Sequence, residues 1–525
     1  MTLDQEPAEE RALGSDAGSV AGVGVGSGAG STVSAREGDR TRDPERTQAQ
    51  ERTQDQERAN RIFLPATYAE GVPYPLYAHY REREPVRWVE EPAVGDWPSG
   101  PGYWAVLRHA DVRHVLRTPS TYSSHLGATQ IRDPDSAADL DFARTMMLNQ
   151  DPPDHSRLRR IVAGAFTPRA LRELTAGIEE RATAVVRRAR DLGATLDLVP
   201  LAADLPVWTL ARIMGVPDED RALLAGWADR VIGYQDAAHA HAPAPVGAGA
   251  VDAGAEVGAA PSGLSALGRS AVAVRPRPEH LVRPDGRPVN PRSRAALADM
   301  FAYAHGLARR PRPGSILARM VEAGLTEEEF ETTFFLFAVA GNETLRNGVP
   351  GGLHVLLAHP EEYRRLRADP ARTPAVVEEM LRYWPPVLSF RRTATHDVEL
   401  GGRRLRRGDK VVVYHAAANR DPAVFPDPDR FDPDRFDVGR SESDRFGADR
   451  GGAARSGGAA RPSQDHVSFG DGPHFCLGAQ LARVQMRALV REIATTLPEL
   501  EPAGEPVRLV SNFQNGLRSL PVRVR

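Results

Sequence analysis

Cys476 is the only thiol among 525 residues, and it lies in the stretch VSFGDGPHFCLGAQLAR, Val467 to Arg483. One thiol excludes any disulfide within the chain and any metal centre built from several cysteines. What is left is a small buried hydrophobe, a nucleophile or a single thiolate ligand. The neighbours favour the last. The spacing Phe469-Gly470-x-Gly472-x-His474-x-Cys476-x-Gly478 runs into AQLARVQMRALVREI, a series of strong helix formers, so the sulfur stands just before a helix N-terminus. Free N–H groups and the positive dipole end at such a place favour a thiolate and lower the thiol pKa. The glycines let the backbone pass close to a flat cofactor and donate N–H bonds to the sulfur.

Three other segments carry chemically useful types at meaningful spacing. In DPPDHSRLRR, His155 and Arg159 are four apart and share one helix face. In FFLFAVAGNETLRNG a threonine and a glutamate, Thr344 and Glu343, sit inside a long apolar helix that opens with the capping box Thr326-x-x-Glu329. In EEMLR, Glu379 and Arg382 are three apart on a helix. Taken singly each has an ordinary reading. A mid-helix threonine bonds back to the preceding turn, and an exposed ion pair at this spacing is worth only about 0.2–0.5 kcal/mol.

Together, and in this order, the four segments resemble the cytochrome P450 family of haem-thiolate monooxygenases, whose signature Phe-x-x-Gly-x-x-x-Cys-x-Gly is met in full from Phe469 to Gly478. The resemblance runs from about residue 60 to the C-terminus. It implies a mainly α fold with small β-sheets, the cytochrome P450 fold, and haem b ligated by Cys476 with Phe469 beside it. Propionate partners implied are His155, Arg159, His474 and Arg392 in RRTATHDVELGG, which suits charge-assisted bonding to carboxylates. Where the family often has tryptophan one turn before Arg159, this chain has His155. Ala340-Gly341-Asn342-Glu343-Thr344 resembles the oxygen-activating segment: small residues leave room for O2, the Thr344 hydroxyl delivers protons, and Glu343 relays them from solvent. Arg435, in the meander ANRDPAVFPDPDRFDPDR, is implied to join Glu379 and Arg382 in a buried charge network that specifies structure more than it stabilises it.

The implied activity is insertion of one oxygen atom of O2 into a C–H bond, with a thiolate that pushes electron density towards iron. Phe337, Ala340, Val387, Leu388 and Phe513 are the expected pocket wall, and their apolar character points to a sterol, terpenoid, lipid or secondary-metabolite intermediate. An amino acid or acyl group held on a carrier protein is the alternative substrate. A non-oxygenase haem-thiolate protein, sensing ligands or rearranging substrates, is the alternative class, and the intact Glu343-Thr344 pair argues against it. The chain shows no flavin or nicotinamide motif, so electrons are expected from NAD(P)H through a separate ferredoxin and its reductase. Arg157, Arg160 and Arg483 would offer positive charge for docking on the cysteine side.

These groups must be positioned by a helical body. Helical periodicity dominates, for example over 169–190 and 374–384, while strand-like segments are short: 103–108, 397–415 around a Gly-Gly turn, and the C-terminal LPVRVR. Residues 1–58 are polar and poor in large apolar groups and are expected to be a disordered tail before a domain spanning 59–525. Low-complexity insertions are expected at about 237–263, where the family forms its substrate lid, and 438–465. A net charge of −3 gives no basic surface for nucleic acid. No apolar run reaches a membrane span, and the acidic start is unlike a signal peptide, so a cytoplasmic monomer is expected.

Overall fold

The computed structural model describes residues 44–95, 97–191, 195–232, 235–236, 264–273, 286, 289–437, 466–497 and 499–524. Both expected insertions, and residues 1–43 of the expected tail, lie outside the described residues. The helices used below are α1 (Pro44–Asn60), α2 (His109–Arg117), α3 (Asp154–Ala163), α4 (Pro168–Asp191), α5 (Leu198–Met214), α6 (Arg221–Ile232), α7 (Ala298–Ala308), α8 (Glu327–Leu357), α9 (Thr373–Tyr383) and α10 (Ala479–Thr496). The mainly helical fold class expected from the periodicity is the one observed. Among the described residues no helix is long and apolar enough to cross a membrane.

The chain divides into Met1–Arg52 and Thr53–Arg525. The expected tail boundary at 58 lies within α1. Its sequence, PERTQAQERTQDQERAN, is rich in good helix formers, and its second half is held by polar contacts. Tyr80 Oη donates to Asp55 Oδ1 at 2.9 Å, Arg87 pairs with Asp55 at 2.9 Å, and Asn60 Nδ2 donates to Glu90 at 2.9 Å.

α8 is apolar around most of its circumference, which is the mark of a helix buried in a core rather than lying on it. The capping box opens it as expected: Glu329 N–H donates to Thr326 Oγ1 at 3.2 Å and Thr326 N–H donates to the Glu329 carboxylate at 3.2 Å. One large apolar core joins α3 to α10 around it.

Strands β1 (Val86–Val89), β2 (Tyr103–Val106), β3 (Tyr122–Ser123), β4 (Ser389–Ala394) and β5 (Lys410–Tyr414) form the main sheet in the order β1-β2-β5-β4-β3. Only β2 and β5 run parallel. The register sets Arg392 opposite Val411 and Phe390 opposite Val413, which aims β4 at the helical body. The expected Gly-Gly hairpin is present, Val398–Leu400 pairing with Arg403–Leu405 around two glycines of positive φ. C-terminal Pro521–Val524 lies between Thr195–Asp197 and Leu500–Pro502.

Candidate active site

The loop Val467–Cys476 is closed on itself by two backbone bonds, Gly470 N–H to Val467 O at 2.8 Å and Cys476 N–H to Phe469 O at 2.9 Å. Gly472 has φ +68°, and a Cβ there would come within 2.5 Å of the Leu116 carbonyl on α2, so only glycine fits. Asp471 ties the loop to the same helix through Arg113 at 2.5 Å and Arg117 at 3.0 Å. Burial works to raise the Asp471 carboxyl, but these arginines and the Gly472 N–H hold it below the usual range. On the other side, Ser468 Oγ donates to Leu381 O at 2.7 Å, and Asn419 Oδ1 accepts the Val467 N–H at 2.8 Å.

Glu378 on α9 braces the loop from behind. Its carboxylate accepts two bonds from Arg483, at 2.7 and 2.9 Å, and lies 3.1 Å from His466 Nε2, while the Arg483 guanidinium sits 4.5 Å above the Phe469 ring. Arg483 is thus a buried brace, and the expectation that it offers surface charge is corrected. Arg157 and Arg160 remain exposed, the former paired with Glu329 and the latter donating to Ser156 O.

Cys476 stands before the N-terminus of α10 and lines a cleft. Burial among protein atoms pushes the thiol up, and the Gly478 N–H, Arg159 and Arg483 pull it down by less.

The cleft has about 1610 Å³ of empty space, partly open to solvent, between Cys476 and Phe469 on one wall and Phe337, Ala340 and Thr344 of α8 on the other. His155, Arg159, Arg392 and His474 converge on it. Among the described residues neither arginine forms an ion pair; Arg392 is 3 % exposed and donates only to the Arg391 carbonyl, at 2.8 Å. Burial lowers Arg392 to about 10. The two imidazoles lie 4.1 Å apart with unpartnered Nδ1 atoms, and burial holds His155 at about 4 and His474 at about 3. Two arginines without an ion pair and two imidazoles fit the carboxylates of a flat prosthetic group whose metal meets the thiolate. Haem satisfies both demands, so the residues present fit it.

The family model described as Cytochrome P450 matches residues 314–497. Over 470 residues the chain is 30% identical to the steroid C26-monooxygenase of Rhodococcus jostii, spanning 87% of this chain and 83% of that one. The chain belongs to the cytochrome P450 family. It is a P450 monooxygenase, as are its relatives, and linalool 8-monooxygenase of Pseudomonas putida is 29% identical over 87% of this chain and 97% of that one. The solved structure of a Mycobacterium marinum cytochrome P450 in complex with pseudoionone superposes with a TM-score of 0.66 at 31% identity, covering 86% of this chain and 94% of that one.

In this P450 the Glu379–Arg382 pair is fully buried, with Nε to Oε2 at 2.7 Å and Nη2 to Oε1 at 2.6 Å. Arg382 spends its remaining donors on the carbonyls of Asn419, Pro428 and Arg430. Arg435 completes the group, its Nε 3.6 Å from Glu379 Oε1, so the three residues come together as the resemblance implied.

A second, distal pocket adjoins the P450 cleft and shares Ala340, Thr344, Val387, Leu148, Leu336 and Phe390 with it. Phe513 lines the distal pocket alone, and Phe337 lines the cleft, stacked on Phe166. Leu388 was expected in this wall and is instead fully buried in the core beside the sheet. Neighbouring residues of an extended segment point to opposite sides, so the pocket takes Val387 and leaves Leu388 to the core. Thr344 Oγ1 donates back to Ala340 O at 3.0 Å. Glu343 lines the distal pocket and is 1 % exposed.

Phe390 and His415 are missed by sequence reasoning. Phe390 lines both cavities and meets Phe513 edge-on at 5.6 Å. His415 is fully buried in the cleft, lowered to about 4 by burial and by Arg392. No motif marks either one; the signal available is their position on or next to strands β4 and β5.

Proposed function

We propose that this P450 monooxygenase hydroxylates a largely apolar small molecule of steroid or terpenoid type, with electrons delivered by a separate ferredoxin and its NAD(P)H-dependent reductase. The observation that carries the reading is the distal pocket wall: Phe142, Met146, Phe335, Val339, Phe390 and Phe513 surround a space that meets the cleft at Ala340 and Thr344. Apolar walls with few polar groups bind apolar ligands and leave orientation to shape. Relatives named for steroid and linalool oxidation, and the structural neighbour holding pseudoionone, support the same substrate class.

Bound haem supplies activation of O2, its thiolate ligand favouring O–O cleavage. The chain's own groups divide the remaining work. Cys476 is the metal ligand, with the Gly478 N–H on its sulfur. His155, Arg159, Arg392 and His474 hold the propionates. Thr344 Oγ1 holds a hydroxyl proton at the junction of the two cavities, and Glu343 presents a carboxylate from the adjoining position on α8. Ala340 lines both cavities and leaves room beside that hydroxyl.

The test is a binding and turnover screen of the haem-loaded enzyme. Steroid ketones and acyclic terpenoids are expected to displace iron-bound water, read as a Soret shift, and to gain a labelled oxygen atom from isotopic O2 with ferredoxin, reductase and NADPH. Shifts only with strongly polar compounds, or rearranged products without label, would overturn the reading.

A further inference from the structure

Glu343 is not left to choose its own orientation. Its Oε1 accepts from Arg346 Nη1 at 3.2 Å, one turn further along α8, and the same Nη1 donates to Asp229 of α6. All three are buried, with Glu343 1 %, Asp229 4 % and Arg346 8 % exposed. Glu343 Oε2 is buried without a hydrogen-bond partner, in a residue that lines the distal pocket together with Thr344. α6 is in turn clamped to α7, because Asp299 accepts from Trp227 Nε1 at 2.9 Å and from Arg230 at 2.7 Å. Burial works against the Arg346 charge, and the two carboxylates more than offset it, raising its pKa.

We propose that Arg346 is a positioning residue for proton delivery, holding Glu343 with one carboxylate oxygen turned to the distal pocket, and that Asp229 fixes Arg346 so that α6 sets the acid's orientation. The inference rests on the proton-delivery role given to Glu343 and Thr344 above. Packing confines the buried Glu343 side chain, and an ion pair to one carboxylate oxygen fixes which way the other points. A salt bridge between two residues of one helix fixes only their relative twist. Asp229, from a different helix, supplies the outside point of reference.

The experiment uses the haem-loaded, full-length protein with a substrate that gives the Soret shift, and measures the fraction of consumed NADPH electrons recovered in hydroxylated product. Arg346→Leu is expected to lower that fraction about tenfold, a modest part of the 10²–10⁴-fold general acid catalysis commonly supplies, while haem content and the substrate-induced Soret shift stay within twofold of wild type. Arg346→Lys restores at least half of the coupling. Asp229→Asn, on the other helix, gives an intermediate fall, and the double variant Arg346→Leu/Asp229→Asn is no worse than Arg346→Leu alone, since both act through one contact. Unchanged coupling in Arg346→Leu, or additive losses in the double variant, overturns the assignment. Should Arg346→Leu fail to hold haem, Asp229→Asn decides: coupling equal to wild type refutes the role. Glu343→Gln and Thr344→Ala test the reading beneath. If these two leave coupling unchanged, that reading fails; if they lower it and Arg346→Leu does not, only the positioning role falls.

Discussion

Replacing Glu378 by glutamine isolates one brace of the proximal loop and gives a loss whose size and pH dependence both follow from its surroundings. The carboxylate is 4 % exposed and bonded to His466 and Arg483. Burial alone would raise its pKa; the bonds from His466 and Arg483 more than reverse this and bring it from 4.5 to about 2. Each tenfold difference in proton affinity between folded and unfolded chains is worth about 1.4 kcal/mol, so the charge contributes ~3 kcal/mol at neutral pH. Glutamine keeps the shape but leaves Arg483 buried without its counterion, a change that typically costs about 3–5 kcal/mol. As pH falls, the unfolded chain takes up the proton first. The contribution is therefore complete above about 4.5 and drains away as the pH approaches 2.

Urea unfolding of the haem-loaded protein, followed by circular dichroism and the Soret band, measures the difference between wild type and Glu378→Gln across this range. The gap is expected at about 3 kcal/mol at pH 7 and to narrow steadily below pH ~4.5. Because Arg483 also covers the Phe469 ring, the variant should transfer haem to an apoprotein acceptor faster than wild type at neutral pH. A gap below about 1 kcal/mol at pH 7, or one that stays constant down to the lowest pH tested, would show that Glu378 is not the buried, charge-stabilised group described.

Three further substitutions read out the cofactor site. Cys476→Ser should abolish the thiolate-type Soret band of the reduced CO complex in folded protein. Arg392→Leu removes a buried cation expected to face a propionate, worth about 1.5–3 kcal/mol for a bond to a charged group, so haem loss to an acceptor should quicken by roughly one to two orders of magnitude. Gly472→Ala puts a Cβ against the Leu116 carbonyl at a backbone angle alanine resists, and should lower haem retention more than it lowers helix content.

Sequence reasoning reached the cysteine loop because its constraints are local. Gly470 and Gly472 take positive φ, His474 and Cys476 are two apart, and the following helix begins within three residues, so the spacing itself encodes the geometry. It reached Glu379 and Arg382 for the same reason, and Arg435 through the meander that carries it. Arg483 shows where the method stops. Its partner Glu378 lies 105 residues away in sequence, and a charged residue on a helix looks identical whether its face meets water or a buried carboxylate. Arg483 and Arg392 are both buried arginines, yet the first is paired with a glutamate and the second lines a cleft without forming an ion pair among the described residues. That difference separates a structural brace from a ligand-binding cation, and it is created by packing between elements distant in the chain. Leu388 makes the same point for the pocket. Its type was right for a pocket wall, but one step along an extended strand decides between cavity and core, and composition carries no record of that step.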